Sequence, residues 1–214
     1  MRIHVNVTIK LNKLVKYFVL SDLVLLAGWG LIEPIFSVFV IETVRGATLV
    51  TVGISAAIYW VLRSVIQLPL ASFLDKYDGE KDDFYALIFG IIVAGGSAVL
   101  FAFVREPWQL YLVQALHGIG FAFYFVSWPA IFSRHLDKNK VSFEWALDNT
   151  AVSVGAGVSA FFGGVIASKF GFPIVFITTG ALSALAALIL MIVPELLFPK
   201  KTISDGAPSK MTQL

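Results

Sequence analysis

The sequence predicts an all-α membrane protein with six transmembrane helices and both termini on the cytoplasmic side. Three observations predict it. The 214 residues are 58% hydrophobic and 14% charged, with a mean hydropathy of +0.85, whereas a soluble domain has about 45–50% apolar and about 25% charged residues. A bilayer core about 30 Å thick needs roughly 20 apolar residues per helix, and six stretches qualify, at about 15–40, 48–74, 84–104, 108–134, 143–168 and 172–195. With the N-terminus inside, the inner segments hold 12 Lys and Arg and the outer ones 3, the asymmetry that sets orientation. A membrane barrel would alternate apolar and polar residues, and runs such as Ala86 to Val93 do not alternate. The net charge of +2 follows from the inner bias and gives no reason to expect nucleic acid.

Residues 1–14 lack the apolar run and cleavage site of a signal peptide. Ile3, Val5, Val7, Ile9 and Leu11 alternate with Arg2, His4, Asn6, Thr8 and Lys10, which predicts a cytoplasmic amphipathic arm, interfacial or disordered. In the first span Asp22 and Glu33 are eleven residues apart, three helical turns plus about 20°. They share a stripe with Trp29, and Pro34 breaks the helix just beyond. A charge inside a span is costly and faces a cavity or a partner. Asp22 is therefore a proton carrier or one half of a structural ion pair, and Glu33 a second proton carrier or a residue reaching the outer interface.

The second span places Tyr59, Arg63 and Gln67 on one face at i, i+4 and i+8. Arg63 lies at nearly the depth of Asp22, and an Asp22–Arg63 pair would lower the burial cost of both. The readings for Arg63 are substrate binding and a static clamp between helices. The fourth span carries Gln114, His117 and Tyr124, with His117 either a proton relay or a hydrogen-bonding partner for a neighbouring helix. Trp29, Tyr59, Trp60 and Tyr124 offer faces on which an aromatic or amphipathic substrate would stack. The fifth span starts with Glu144 and Asp148 at i, i+4, where acids complement the helix dipole. Asp148, a turn deeper, is the third candidate proton carrier.

Further along the fifth span, Gly155, Ser159, Gly163 and Ala167 form a strip of small residues. Such a strip admits a close helix, from a partner chain or from the same bundle. After the sixth span, Pro199, Gly206 and Pro208 mark residues 196–214 as a flexible cytoplasmic tail. The domain reading is thus an arm at 1–14, a bundle at 15–195 and a tail at 196–214.

Enzymatic readings are weak. Gly53-Ile54-Ser55-Ala56 with His117 only loosely fits an intramembrane serine protease. His4, His117 and His135 are scattered and cysteine is absent, so neither metal, cofactor nor disulfide is expected.

Three segments resemble the major facilitator superfamily. Ala71-Ser72-Phe73-Leu74-Asp75-Lys76 and the residues to Lys81 are similar to the family's Gly-x-Leu-x-Asp-Arg-x-Gly-Arg-Arg, with Asp75 and Lys76 at its acid–base pair and Ala71 in place of Gly. Gln114-Ala115-Leu116-His117-Gly118-Ile119-Gly120 is similar to Arg-x-Leu-x-Gly-x-Gly, with Gln114 where Arg is usual. Gly155-Ala156-Gly157 to Gly163-Gly164, followed by Lys169-Phe170-Gly171-Phe172-Pro173, looks like the fifth span of drug–proton antiporters, with Ser159-Ala160 in place of Gly-Pro.

The resemblance implies a 3+3 inverted-repeat half of the twelve-span fold, with the tail similar to the start of its central linker. It also implies a cavity-lining first span, Asp75 and Lys76 as a gate latch, and a lateral seam on the second and fifth helices. The reading that follows is a secondary transporter of the inner or plasma membrane, working by alternating access as a parallel homodimer whose seam includes Gly155, Ser159 and Gly163. Its expected partners are the bilayer, a second copy, a small-molecule substrate and the proton. Proton-coupled efflux of amphipathic or cationic compounds leads. Uptake of a sugar or other nutrient, and a half-subunit or fragment needing a different partner, are the alternatives.

Overall fold

The computed structural model describes residues 12–76 and 80–193. The predicted arm up to residue 11, the loop at 77–79 and the tail from 194 lie outside the described residues. The elements in order are α1 (Lys13–Ile32), a 3₁₀ turn (Glu33–Ile35), α2 (Phe36–Thr43), α3 (Leu49–Leu74), α4 (Lys81–Phe101), α5 (Pro107–His135), α6 (Val141–Phe170) and α7 (Phe172–Met191). α1 and α2 together make the first span, and α3 to α7 make the other five. Six helices long and apolar enough to cross a membrane are therefore present, as the sequence predicts.

Local chemistry sets the boundaries. Asn12 caps α1 by accepting from the Leu14 N–H at 3.2 Å, satisfying one of the orphan donors of a helix start. Thr48 and Thr51 form a capping box at α3, and Glu106 and Gln109 another at α5. Pro34 interrupts the first span, since proline removes a helical donor, and the chain passes through the 3₁₀ turn before resuming as α2. α4 starts three residues earlier than the apolar run, because Asp82 and Asp83 favour its positive N-terminal end. The link from α6 to α7 is Gly171 alone, with φ +83°, a conformation that glycine adopts without steric cost.

The helices form an open ring. α3 packs along α5, α5 along α4, α4 along α7, α7 along α1, and α1 along α6. Exchanging the first three spans for the last three leaves this order unchanged. Each triplet has an odd number of spans, so the second enters from the opposite side. The inverted 3+3 repeat, invisible as sequence identity, is thus displayed in the packing.

Two apolar layers fill the ring. One holds Phe18, Phe84, Phe132 and Leu190, the other Phe39, Phe101, Leu110 and Phe176. α4 and α5 approach closely at Gly90 and Gly120, where a Cβ on Gly120 would fall 2.6 Å from the Ala94 nitrogen. Polar side chains tie α1 to α7: Ser21 donates to the Ala186 carbonyl at 3.0 Å and Thr179 to the Gly28 carbonyl at 2.7 Å. At one end of the bundle the Arg45 N–H donates to the Arg105 carbonyl at 2.8 Å, and the Arg45 side chain pairs with Glu106 at 3.0 Å. At the other end Arg134 pairs with buried Asp83, and His135 lies 3.4 Å from Glu80.

The ring's two ends are its least covered helices. Of their most apolar stretches, 11% is buried in α3 and 6% in α6, against 44–56% in the other four spans. Val61, Val65 and Leu68 of α3, and Val154, Val158 and Phe161 of α6, are exposed.

Candidate functional site

Two side-chain clusters occupy the middle of the bundle. The first joins α1, α5 and α6. The buried Asp22 carboxylate accepts a hydrogen bond from the Tyr124 hydroxyl. Asp148 reaches the same carboxylate from α6 and lies within hydrogen-bonding range of it. Both acids are 4% exposed, and Asp148 Oδ1 has no hydrogen-bond partner among the described residues.

This arrangement corrects the expected Asp22–Arg63 pair. α3 packs along α5, whereas α1 packs along α6. The residue that meets Asp22 at its own depth is therefore Asp148, and Tyr124 of α5 closes the other side.

The second cluster joins α1, α5 and α3. The His117 ring is stacked between Trp29, at 4.0 Å and 3°, and Tyr59, at 4.3 Å and 27°. His117 Nδ1 lies 3.1 Å from Gln114 Oε1, and Phe121 meets the imidazole edge-on at 5.0 Å. From Tyr59 the cluster continues to Arg63, whose Nη1 donates to the Tyr59 hydroxyl at 3.1 Å. The guanidinium lies over the Phe125 ring at 3.8 Å and near Trp60 at 5.0 Å. The substrate candidates Trp29, Tyr59, Arg63, Gln114 and His117 thus come together, while Tyr124 belongs to the acid cluster. Gln67 is half-buried one turn further along α3.

Glu33 keeps helical backbone angles at the C-cap of α1, with its N–H bonded to the Trp29 carbonyl, but it is exposed where Asp22 is buried. It opens the 3₁₀ turn that packs beside α6. Asp75 and Lys76 are exposed at the C-terminal end of α3. Glu144 is fully buried, and its Oε2 accepts from the Asp137 backbone N–H at 3.0 Å. It braces the turn into α6 rather than joining the acid pair.

The small-residue strip of α6 also turns out differently from a pure seam. Gly163 is buried against the Leu31 backbone of α1 in the same bundle, where a Cβ would lie 2.8 Å from the Leu31 carbonyl carbon. A Cβ on Gly155 would collide with the Leu23 side chain. Gly155 and Ser159 line a shallow apolar groove of about 530 Å³ between α1 and α6. Gly53, Gly157 and Gly164 are the glycines of α3 and α6 with nothing near them.

Ser55 and His117 share no hydrogen bond among the described residues. The Ser55 hydroxyl donates to the Val52 carbonyl at 2.8 Å, and His117 is held by Gln114 and two rings.

The family profile described as Major Facilitator Superfamily matches residues 18–212. The chain belongs to the major facilitator superfamily. That superfamily is one of membrane transporters, and the chain is a multi-pass membrane protein within it. It is 27% identical over 180 residues to an uncharacterized MFS-type transporter of Methanocaldococcus jannaschii. The match covers 84% of this chain and 45% of that protein, so the chain spans about half the length of the curated relative it matches. The open ring with its 3+3 repeat is consistent with half of the superfamily's fold.

The sequence pointed to the individual charged residues but not to two of the contacts they make. Phe125, over which Arg63 lies, is one of nineteen Phe and carries no local signal. The Asp83–Arg134 pair was hidden because each residue looked like ordinary loop charge.

Proposed function

We propose that this chain is one six-span unit of a proton-coupled secondary transporter working by alternating access. The observation that carries the reading is the contact between Asp22 and Asp148, buried where α1, α5 and α6 meet. Two carboxyl groups hydrogen-bond each other only through a shared proton. A rocking motion that parts α1 from α6 would break that bond and free a proton to one side, which is the coupling step a carrier needs. Tyr124 holds Asp22 in position as the pair opens. The remaining candidate, Glu33, sits in the turn beside α6, where it offers a second stop for the proton.

The open faces of α3 and α6 support a second six-span unit, here a second copy in parallel orientation. The outward positions Gly53, Gly157 and Gly164 suit this seam better than buried Gly163. In this reading both termini are cytoplasmic in an inner or plasma membrane, Asp75 and Lys76 latch the inner gate, and small amphipathic molecules are carried. Efflux of amphipathic compounds leads over sugar uptake, because the ring faces around His117 and Arg63 outnumber the uncommitted hydroxyls and amides there.

The test is reconstitution of purified protein into vesicles with an imposed proton gradient and a panel of labelled amphipathic compounds. Movement that stops when an ionophore collapses the gradient supports the proposal. Movement indifferent to the gradient rejects proton coupling, and movement of no compound by wild type rejects the carrier.

A further inference from the structure

Resting on that transport reading, we propose that Arg63 anchors an anionic group, so that the substrates are organic anions with an apolar or aromatic body. The argument starts from what the guanidinium lacks. A charge within a span pairs with an opposite charge or faces a cavity, yet Arg63 makes no ion pair among the described residues. The two buried acids of α1 and α6 face each other instead.

Arg63 carries five N–H donors. Its hydrogen bond to Tyr59 Oη lies one turn away on its own helix, so it fixes the side chain without clamping α3 to anything. The contact across helices is the face of Phe125, with the guanidinium carbon 3.8 Å from the ring centroid, and beyond the bond to Tyr59 its N–H donors have no hydrogen-bond partner among the described residues. Trp60, 5.0 Å away, is 58% exposed, so the guanidinium stands at the border between the bundle and its uncovered side.

A planar guanidinium with such N–H donors matches the paired oxygens of a carboxylate, sulfonate or phosphate. The rings of Tyr59, Trp60 and Phe125 supply an apolar surround for the rest of such a molecule. A simple organic cation would meet an unneutralised positive charge at this place. The same anionic chemistry could come from a soluble substrate or from a lipid headgroup, and the experiment separates them.

Purified protein in discs of phosphatidylcholine is titrated calorimetrically with naphthalenesulfonate, its neutral sulfonamide, and naphthylmethyl-trimethylammonium. The sulfonate is expected to bind about tenfold more tightly than the sulfonamide and the cation least. Arg63→Gln should erase the sulfonate's advantage, and Arg63→Lys should keep part of it, because an ammonium retains charge without the planar fork. Equal binding of sulfonate and sulfonamide by wild type overturns the proposal, as does preference for the cation. This comparison needs no variant and so survives any misfolding of Arg63→Gln.

Addition of phosphatidylglycerol to the discs identifies the source. Competition with the sulfonate, with no sulfonate carried across vesicles, keeps the site and assigns its anion to lipid. Charge-selective binding without proton-driven movement sinks the transport reading and leaves the anion site standing. Proton-driven movement without charge preference does the reverse.

Discussion

Replacing Gly163 by alanine tests how α6 is held. An added Cβ would collide with the Leu31 carbonyl oxygen and fall 2.8 and 2.9 Å from the Leu31 carbonyl carbon and Cα. Both surfaces are main chain, so no side-chain rotation relieves the contact, and α1 and α6 must separate. Alanine gains about 0.5–1 kcal/mol over glycine in a helix interior, whereas overpacking costs about 1–3 kcal/mol. With backbone on both sides the cost belongs at the upper end, and the net loss is about 2 kcal/mol. Gly157→Ala is the matched control. Nothing lies within 4 Å of its added Cβ, so the helical gain of about 0.5–1 kcal/mol stands alone. The two variants should therefore differ by about 2–3 kcal/mol in unfolding titrations with sodium dodecyl sulfate, read by tryptophan fluorescence. A Gly163→Ala protein as stable as Gly157→Ala would refute the reasoning and return Gly163 to an outward seam.

Other perturbations have equally definite outcomes. Arg134→Gln leaves Asp83, 4% exposed, without its cation and should cost about 1–3 kcal/mol in the same titration, with Arg134→Lys milder; an unchanged midpoint would show the pair to be idle. Tyr124→Phe removes the donor to Asp22 while keeping the ring, and should slow proton-driven movement more than it lowers stability. A stability loss with full transport would make Tyr124 merely structural. Cysteines at Gly53 and Gly164, introduced into a chain that has none of its own, should cross-link between copies in the bilayer. Exclusively intrasubunit products would reject the parallel seam.

The spans were legible because their signal is long-range composition. Twenty apolar residues between charged turns admit one interpretation in a bilayer, and each helix lies close to its expected bounds. Which helices touch was not legible. Arg63 and Asp22 match in depth, and opposite charges at one depth suggest a pair, but depth says nothing about which helix lies alongside. The Asp22–Asp148 contact did carry an unused cue. Asp22 is nine residues into α1 and Asp148 seven into α6, about 14 and about 11 Å along helices that start on the same side. Like charges are not paired by instinct, and a shared proton is what makes that pairing reasonable. Glu33 differs from Asp22 in burial rather than in helical register: it closes α1 with an ordinary helical bond to the Trp29 carbonyl, and its side chain is exposed, which a stripe computed at 100° per residue does not report. The α6 strip was rightly read as a site of close approach, yet the sequence offers no way to tell an approaching helix of the same chain from one of another.

The most direct test of the account follows lumenal pH in vesicles that hold the purified protein and a trapped pH dye, as amphipathic compounds are added outside. The account predicts a compound-dependent pH change that parallels compound movement and disappears in both Asp22→Asn and Asp148→Asn. Coupled movement of compound and protons that persists in either variant would contradict it.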